Sequence, residues 1–146
     1  MSNDTIRFMT RAIELAQLGK NNGGGSFGAV IVRNGAVVAE GFNKVKTLSD
    51  CTQHAELLVI QEACRKLKTT TLTDCTLYTS CEPCMMCLGA IYWAKIHKVY
   101  YGSSAQDAKE HGFIYSNMFY ASSKGARHKE FNLEQLMAEE AIKVWK

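Results

Sequence analysis

Cys81, Cys84 and Cys87 stand at intervals of three around Pro83, the single proline of the chain, where a short β-like run gives way to a longer apolar one. Proline favours the first position of a helix, because its missing N–H has no intrahelical partner to lose there. Residues three apart in a first turn share one helix face. The spacing therefore places thiols at the start of a helix that follows a strand. Cys75–Ser80 reads as that strand and Cys84–Lys95 as that helix, apolar on nearly all sides and so buried. Lys98–Gly102 reads as the next strand, and a strand–helix–strand unit of this length implies parallel pairing through a right-handed crossover.

Upstream, Ile6, Met9, Ile13 and Ala16 recur on one face of a first helix that Asn3 or Asp4 can cap and Gly19 ends. Gly23-Gly24-Gly25 joins it to two apolar runs, Phe27–Arg33 and Ala36–Asn43, separated by Asn34-Gly35. Both turn residues tolerate positive φ, which predicts a hairpin. His54–Leu67 reads as a second helix, with Leu57, Leu58, Ile60, Ala63, Cys64 and Leu67 on a wide apolar face. Beyond Gly102 the pattern weakens. Ala105–Glu110 reads as a short helix, and Phe113–Tyr120 as a strand, a lid or an interface segment. Asn132 with Gln135 resembles a capping box opening a last helix to about Trp145. The expected fold is a single α/β domain over residues 1–146: a three-layer α/β/α arrangement with a mixed central sheet and an N-terminal β-hairpin at one edge.

Composition restricts the function classes. With 146 residues, 47% hydrophobic and 21% charged, the chain can bury a sizeable core. No run approaches the roughly 18 apolar residues of a membrane span. Met1–Gln17 lacks the basic start, apolar stretch and cleavage site of a signal peptide, so a cytoplasmic protein without membrane association is expected. In a reducing cytosol the six cysteines are not a disulfide framework. The clustered ones read as a metal or catalytic site, and Cys51, Cys64 and Cys75 as small hydrophobes. The net charge of +3 is modest. The basic lean of Lys95, Lys98, Lys109, Lys124, Arg127 and Lys129 reads as a solvated face rather than a nucleic-acid surface.

Two segments carry chemistry: His54-Ala55-Glu56 and Pro83-Cys84-Met85-Met86-Cys87, each at an expected helix N-terminus. The partial positive charge and free N–H groups there favour thiolate over thiol. One imidazole and two thiolates suit Zn²⁺ and leave a fourth position for water, whose pKa the metal lowers to about 7. Glu56 need not bind the metal. A carboxylate beside that water can take its proton and deliver it to a ring nitrogen and a leaving amine. These residues point to a zinc-dependent hydrolytic deamination.

His-x-Glu followed by Pro-Cys-x-x-Cys, with His54 30 residues before Cys84, resembles the signature of the cytidine deaminase-like superfamily. The resemblance covers most of residues 5–112. It implies one zinc per chain on His54, Cys84 and Cys87, Glu56 as proton shuttle, and two successive helices opened by the two motifs. Within the superfamily, Ser26–Val32, Thr52–Glu56 and the run from Leu77 to Ala94 are most similar to bacterial guanine deaminases. That likeness implies conversion of guanine and water to xanthine and ammonia, a homodimer, and a small purine held by residues matching Phe27 and Asn43, with Trp93 near the pocket. Ala55 and Tyr115 complete the candidate substrate contacts. A Phe face can stack on a purine, and an Asn amide can both donate to and accept from its edge. The chain departs from those enzymes after Gly112-Phe113, where Ile114-Tyr115-Ser116-Asn117 replaces an acidic pair, and at Cys51 and Gln53. It also stops at Lys146, where those enzymes run on into a tail that helps close the site.

Three other readings share part of this pattern. Cys81 with His54, Cys84 and Cys87 would make a closed Cys₃His site, and the chain a structural binding module. That reading leaves Glu56 without a role, and Cys81, at a strand end before Pro83, is expected to point away. A tRNA adenosine deaminase shares both motifs and reads a base flipped from an RNA loop. Leu88-Gly89 and the acidic Glu139-Glu140 differ from that family's usual pattern. A cytosine-type or aminotriazine deaminase differs in pocket size, which sequence does not measure. Phe27, Trp93 and the 113–120 aromatics also suit core or dimer contacts.

Overall fold

The hairpin forms where Asn34-Gly35 predicts it. In the computed structural model, which describes residues 3–146, these residues take φ of 51° and 76°. β1 (Gly28–Arg33) pairs antiparallel with β2 (Ala36–Phe42). β1 also pairs antiparallel with β3 (Cys75–Cys81), which runs parallel to β4 (Lys98–Ser103). β4 in turn runs parallel to β5 (Leu133–Gln135), so the sheet has the order β2-β1-β3-β4-β5, with the hairpin at one edge.

Helices cover both faces. Alternation along β1 sends Ala29 and Ile31 to one side and Val30 and Val32 to the other. Ala29 and Ile31 join Leu77 and Val99 under α3 (Ala55–Leu67) and α4 (Met85–Ala94). Val30, Val32 and Tyr78 join Phe8, Met9, Ala12 and Leu15 of α1 (Asn3–Asn21), with Leu136 ahead of α8 (Ala138–Lys143) on the same side. Burial on both faces explains why β1 reads as a near-continuous apolar run. Short helices fill the connections: α2 (Val45–Leu48), α5 (Ala105–Glu110), α6 (Asn117–Ala121) and α7 (Lys124–Glu130). Among the described residues, no helix is long and apolar enough to cross a membrane.

Several boundaries differ from the sequence expectation. Asn3 and Asp4 lie inside α1 rather than capping it, and the preceding position falls outside the described residues. Gly19 does not end α1, which continues to Asn21. A Cβ on Gly19 would lie 2.4 Å from the Gly25 carbonyl oxygen, so this glycine permits close chain packing instead. Pro83 is not the first helical residue, because Cys84 occupies the cap of α4 in an extended conformation. The largest correction is at the C-terminus. Asn132 and Gln135 do not cap a helix: Asn132 takes φ 52° and leads into β5. Its side chain donates to the His97 carbonyl and accepts from Lys98 Nζ, so local hydrogen bonds and pairing with the open edge of β4 override the capping pattern. Phe113–Tyr120 is neither a strand nor a uniform lid: an irregular stretch over 113–116 leads into α6.

Gly28 sets how closely α1 approaches β1. A Cβ there would lie 2.2 Å from the Ala12 carbonyl oxygen and 2.5 Å from the Ala16 nitrogen. Both are helix backbone and cannot yield without moving α1. Gly28→Ala is expected to destabilise the fold by about 3 kcal/mol, read as a lowered urea midpoint at unchanged slope.

Candidate active site

Two helices begin with residues that are poor helix caps. His54 starts α3 and Cys84 starts α4, both in extended conformation and neither making a side-chain capping bond. Ser, Thr, Asp or Asn would each stabilise such a helix by about 1 kcal/mol more. The two side chains turn toward each other instead. His54 Nδ1 lies 3.6 Å from Cys84 Sγ and 3.6 Å from Cys87 Sγ, the latter one turn into α4. The three ligand atoms lie within 4.8 Å of one another and form a group that can hold a metal ion. One neutral-capable imidazole and two thiolates, with no carboxylate among them, fit zinc.

Electrostatics within the group favour an anion. A hydrogen bond from Cys87, then one from His54, pull the Cys84 thiol down to about 4, against burial. The same contact, together with burial, pushes the Cys87 thiol up. Hydrogen bonding to Cys84 raises the His54 imidazole. Both helix N-termini point their partial positive charge at these sulfurs.

Glu56, in the first turn of α3, is 6% exposed. Burial and the negative Cys84 push its carboxyl up to about 7, while its own backbone N–H, His54 and Thr79 pull the other way. A carboxyl titrating near neutrality can both accept and return a proton. Ala55, expected as a substrate contact, is fully buried and is not among the residues that line the adjacent cavity.

These groups open onto a cavity of about 210 Å³. It lies at the carboxyl end of β3, where β1 begins and β2 ends. Phe27, Asn43 and Tyr115 line it together with His54, Glu56 and Cys84. The Asn43 side-chain oxygen accepts from the Val45 N–H, which orients the amide. Tyr115 presents its ring to the cavity while its hydroxyl donates to the Glu82 carbonyl. Trp93, by contrast, is 75% exposed on α4 and is not among the lining residues, so the expected pocket contact is not made within this chain.

Cys81 stays outside the metal-binding group. Its Sγ lies 3.1 Å from the Tyr115 hydroxyl, and burial pushes its thiol up to about 12. Its sulfur is engaged by a tyrosine and lies apart from the three grouped ligand atoms, which speaks against the closed Cys₃His arrangement.

Sequence reasoning missed two wall residues and a third that packs behind the wall. Phe113 and Ile114 line the cavity, and Phe113 meets Phe27 edge-to-face at 5.0 Å. Trp145 packs against Phe27 and Phe113 at 5.7 and 5.1 Å, and its indole N–H donates to the Ser26 carbonyl. No periodicity joins residues 27, 113 and 145; only long-range packing brings them together.

Comparison with known proteins agrees with this geometry. The sequence profile described as "Cytidine and deoxycytidylate deaminase zinc-binding region" matches residues 2–103. The chain is 48% identical over 136 residues to the guanine deaminase of Bacillus subtilis (strain 168), spanning 92% of this chain and 87% of that protein. It is 41% identical over 107 residues to the tRNA-specific adenosine deaminase of Aquifex aeolicus (strain VF5), spanning 73% and 70%. The X-ray structure of guanine deaminase from Bacillus subtilis superposes with a TM-score of 0.77 at 52% identity, covering 82% of this chain and 76% of that one. The three-layer fold is thus that of the cytidine deaminase-like proteins, the chain is a zinc-dependent hydrolytic deaminase, and it belongs to the cytidine and deoxycytidylate deaminase zinc-binding family.

Proposed function

We propose that the chain deaminates guanine, converting guanine and water to xanthine and ammonia with attack at C2. The observation that carries this reading is the buried Glu56 carboxyl beside the His54–Cys84–Cys87 group on the floor of one cavity. The guanine deaminase relative at 48% identity supports the choice of base. In this reading His54, Cys84 and Cys87 hold one Zn²⁺, which supplies an activated water. Glu56 would accept a proton from the attacking water and pass it to the ring nitrogen, then take the second proton from the new C2 hydroxyl and pass it to the amine, which leaves as ammonia rather than as a far poorer amide anion. Phe27 and Phe113 face the base, the Asn43 amide meets its edge, and the Tyr115 ring and Ile114 bound its far side. The whole of residues 1–146 acts as one domain in purine metabolism in the cytoplasm. A homodimer is supported by the exposed apolar Met85, Tyr92, Trp93, Ile114 and Met118, which a second copy would cover.

The test is ammonia release by zinc-loaded protein against guanine, adenine, cytosine, their nucleosides, aminotriazines and a tRNA anticodon stem-loop. Turnover of guanine is expected. Activity on the RNA alone would replace guanine with a tRNA adenosine, and silence throughout would overturn the base-deaminase assignment. Cys81→Ser separates the catalytic from the closed structural site: zinc per chain is expected to stay unchanged, and its loss would make Cys81 a ligand.

A further inference from the structure

Glu82, two residues before Cys84, carries a carboxylate that is 2% exposed. Its Oε1 accepts from the Ala105 N–H at 2.9 Å, at the start of α5. Its Oε2 faces Arg127 Nη2 of α7 at 3.5 Å, with side-chain exposures of 13% for the arginine and 2% for the glutamate. Taking both charges out of water costs several kcal/mol per ion, so a buried pair of this kind is weak evidence for added stability. Its placement offers a better account. Arg127 Nη1 donates to the Phe119 and Ser122 carbonyls and to Ser122 Oγ, tying down the end of α6. The guanidinium also stacks 4.1 Å over the Phe119 ring. Phe119 meets Tyr115 edge-to-face at 4.9 Å, and the Tyr115 hydroxyl returns to the Glu82 carbonyl. The contacts form a closed ring that leaves Glu82 through its side chain and comes back to its backbone.

We propose that Glu82 and Arg127 are positioning residues that clamp the Tyr115 wall of the cavity to the connection between β3 and α4 that carries Cys84. Neither touches the cavity; both act through Phe119 and Tyr115. The clamp explains how an irregular stretch over residues 113–116 holds a fixed wall without strand pairing. The kinetic part of this inference rests on guanine being the substrate, and the structural part does not.

The experiment combines amide hydrogen exchange of the zinc-loaded protein with steady-state kinetics on guanine for Arg127→Met and Glu82→Gln. Glu82→Gln keeps an oxygen for the Ala105 N–H and replaces the anionic oxygen facing Arg127 with a neutral NH₂, so it is read alone if Arg127→Met does not fold. Exchange in residues 113–122 is expected to rise about tenfold while α3 keeps its protection and zinc content is unchanged. KM is expected to rise about tenfold with kcat within about twofold, the signature of lost substrate positioning. Unchanged exchange in 113–122, an even rise across the chain, or an unchanged KM would each overturn the proposal. If the wild-type protein does not turn over guanine, the functional reading fails, and the exchange data still decide whether the clamp exists.

Discussion

Glu56→Gln is expected to retain one zinc per chain and to lose turnover by about 10⁴-fold, the upper range for a positioned proton donor and acceptor. That factor corresponds to about 5 kcal/mol of transition-state stabilisation. The substitution preserves shape and removes only the ability to carry a proton. Because the carboxyl is not one of the three grouped ligand atoms, metal content is expected to be untouched. Stopped assays for ammonia with metal analysis on the same sample check both parts, and near-normal turnover would sink the shuttle role. Stability is expected to move the other way. Burial holds the folded Glu56 carboxyl up to about 7, above the ordinary value of about 4.3. Between these values the folded state binds the proton more tightly than the unfolded state, so this group lowers stability as pH rises through 7. Chelator-treated Glu56→Gln protein is therefore expected to lose less stability than wild type between pH 5 and pH 8, seen in the urea midpoints.

Cys87→Ser is expected to abolish both zinc retention and activity. Cys87 is fully buried, and its sulfur faces His54 Nδ1 from the first turn of α4. A serine hydroxyl does not ionise at neutral pH, so one of the two thiolates is lost and the remaining His54 and Cys84 leave the cation under-coordinated. Zinc affinity is expected to fall at least about 100-fold, measured by chelator competition, with kcat/KM falling in parallel. The contrast with Glu56→Gln is informative: one variant keeps the metal and loses the proton path, the other loses the metal. Full zinc occupancy in Cys87→Ser would remove this cysteine from the ligand set and reopen the role of Cys81.

Local chemistry was legible in the sequence because its signals are short-range. Asn34-Gly35 tolerates positive φ at little cost, and the hairpin formed there. His54 and Cys84 could be placed at helix starts because apolar periodicity begins just after each, and both proved to be the cap residues. Their lack of capping bonds marks the cost of using cap positions for metal-binding side chains, a local rule broken where chemistry requires it. The Asn132–Gln135 pattern misled for the opposite reason. A capping box is worth about 1 kcal/mol, and a strand that fills an open sheet edge gains more.

The sequence by itself therefore determined the ligand types, the proton carrier and the alternation of strands and helices, since each depends on residues within one or two turns of one another. Tertiary structure decided how the walls come together and added Phe113 and Ile114 to the expected Phe27, Asn43 and Tyr115. Phe27, Asn43 and residues 113–115 come from three separate stretches, with Trp145 packed behind Phe27 and Phe113, and what brings them together is the β2-β1-β3-β4-β5 order and the packing of the C-terminal segment back onto Phe27. It also set Cys81 apart from its two neighbours at the same spacing, because strand β3 turns its side chain toward Tyr115 while the helix start turns Cys84 and Cys87 toward His54. Such placements depend on contacts between residues distant in the chain, and a pattern read along one chain carries no record of those distances.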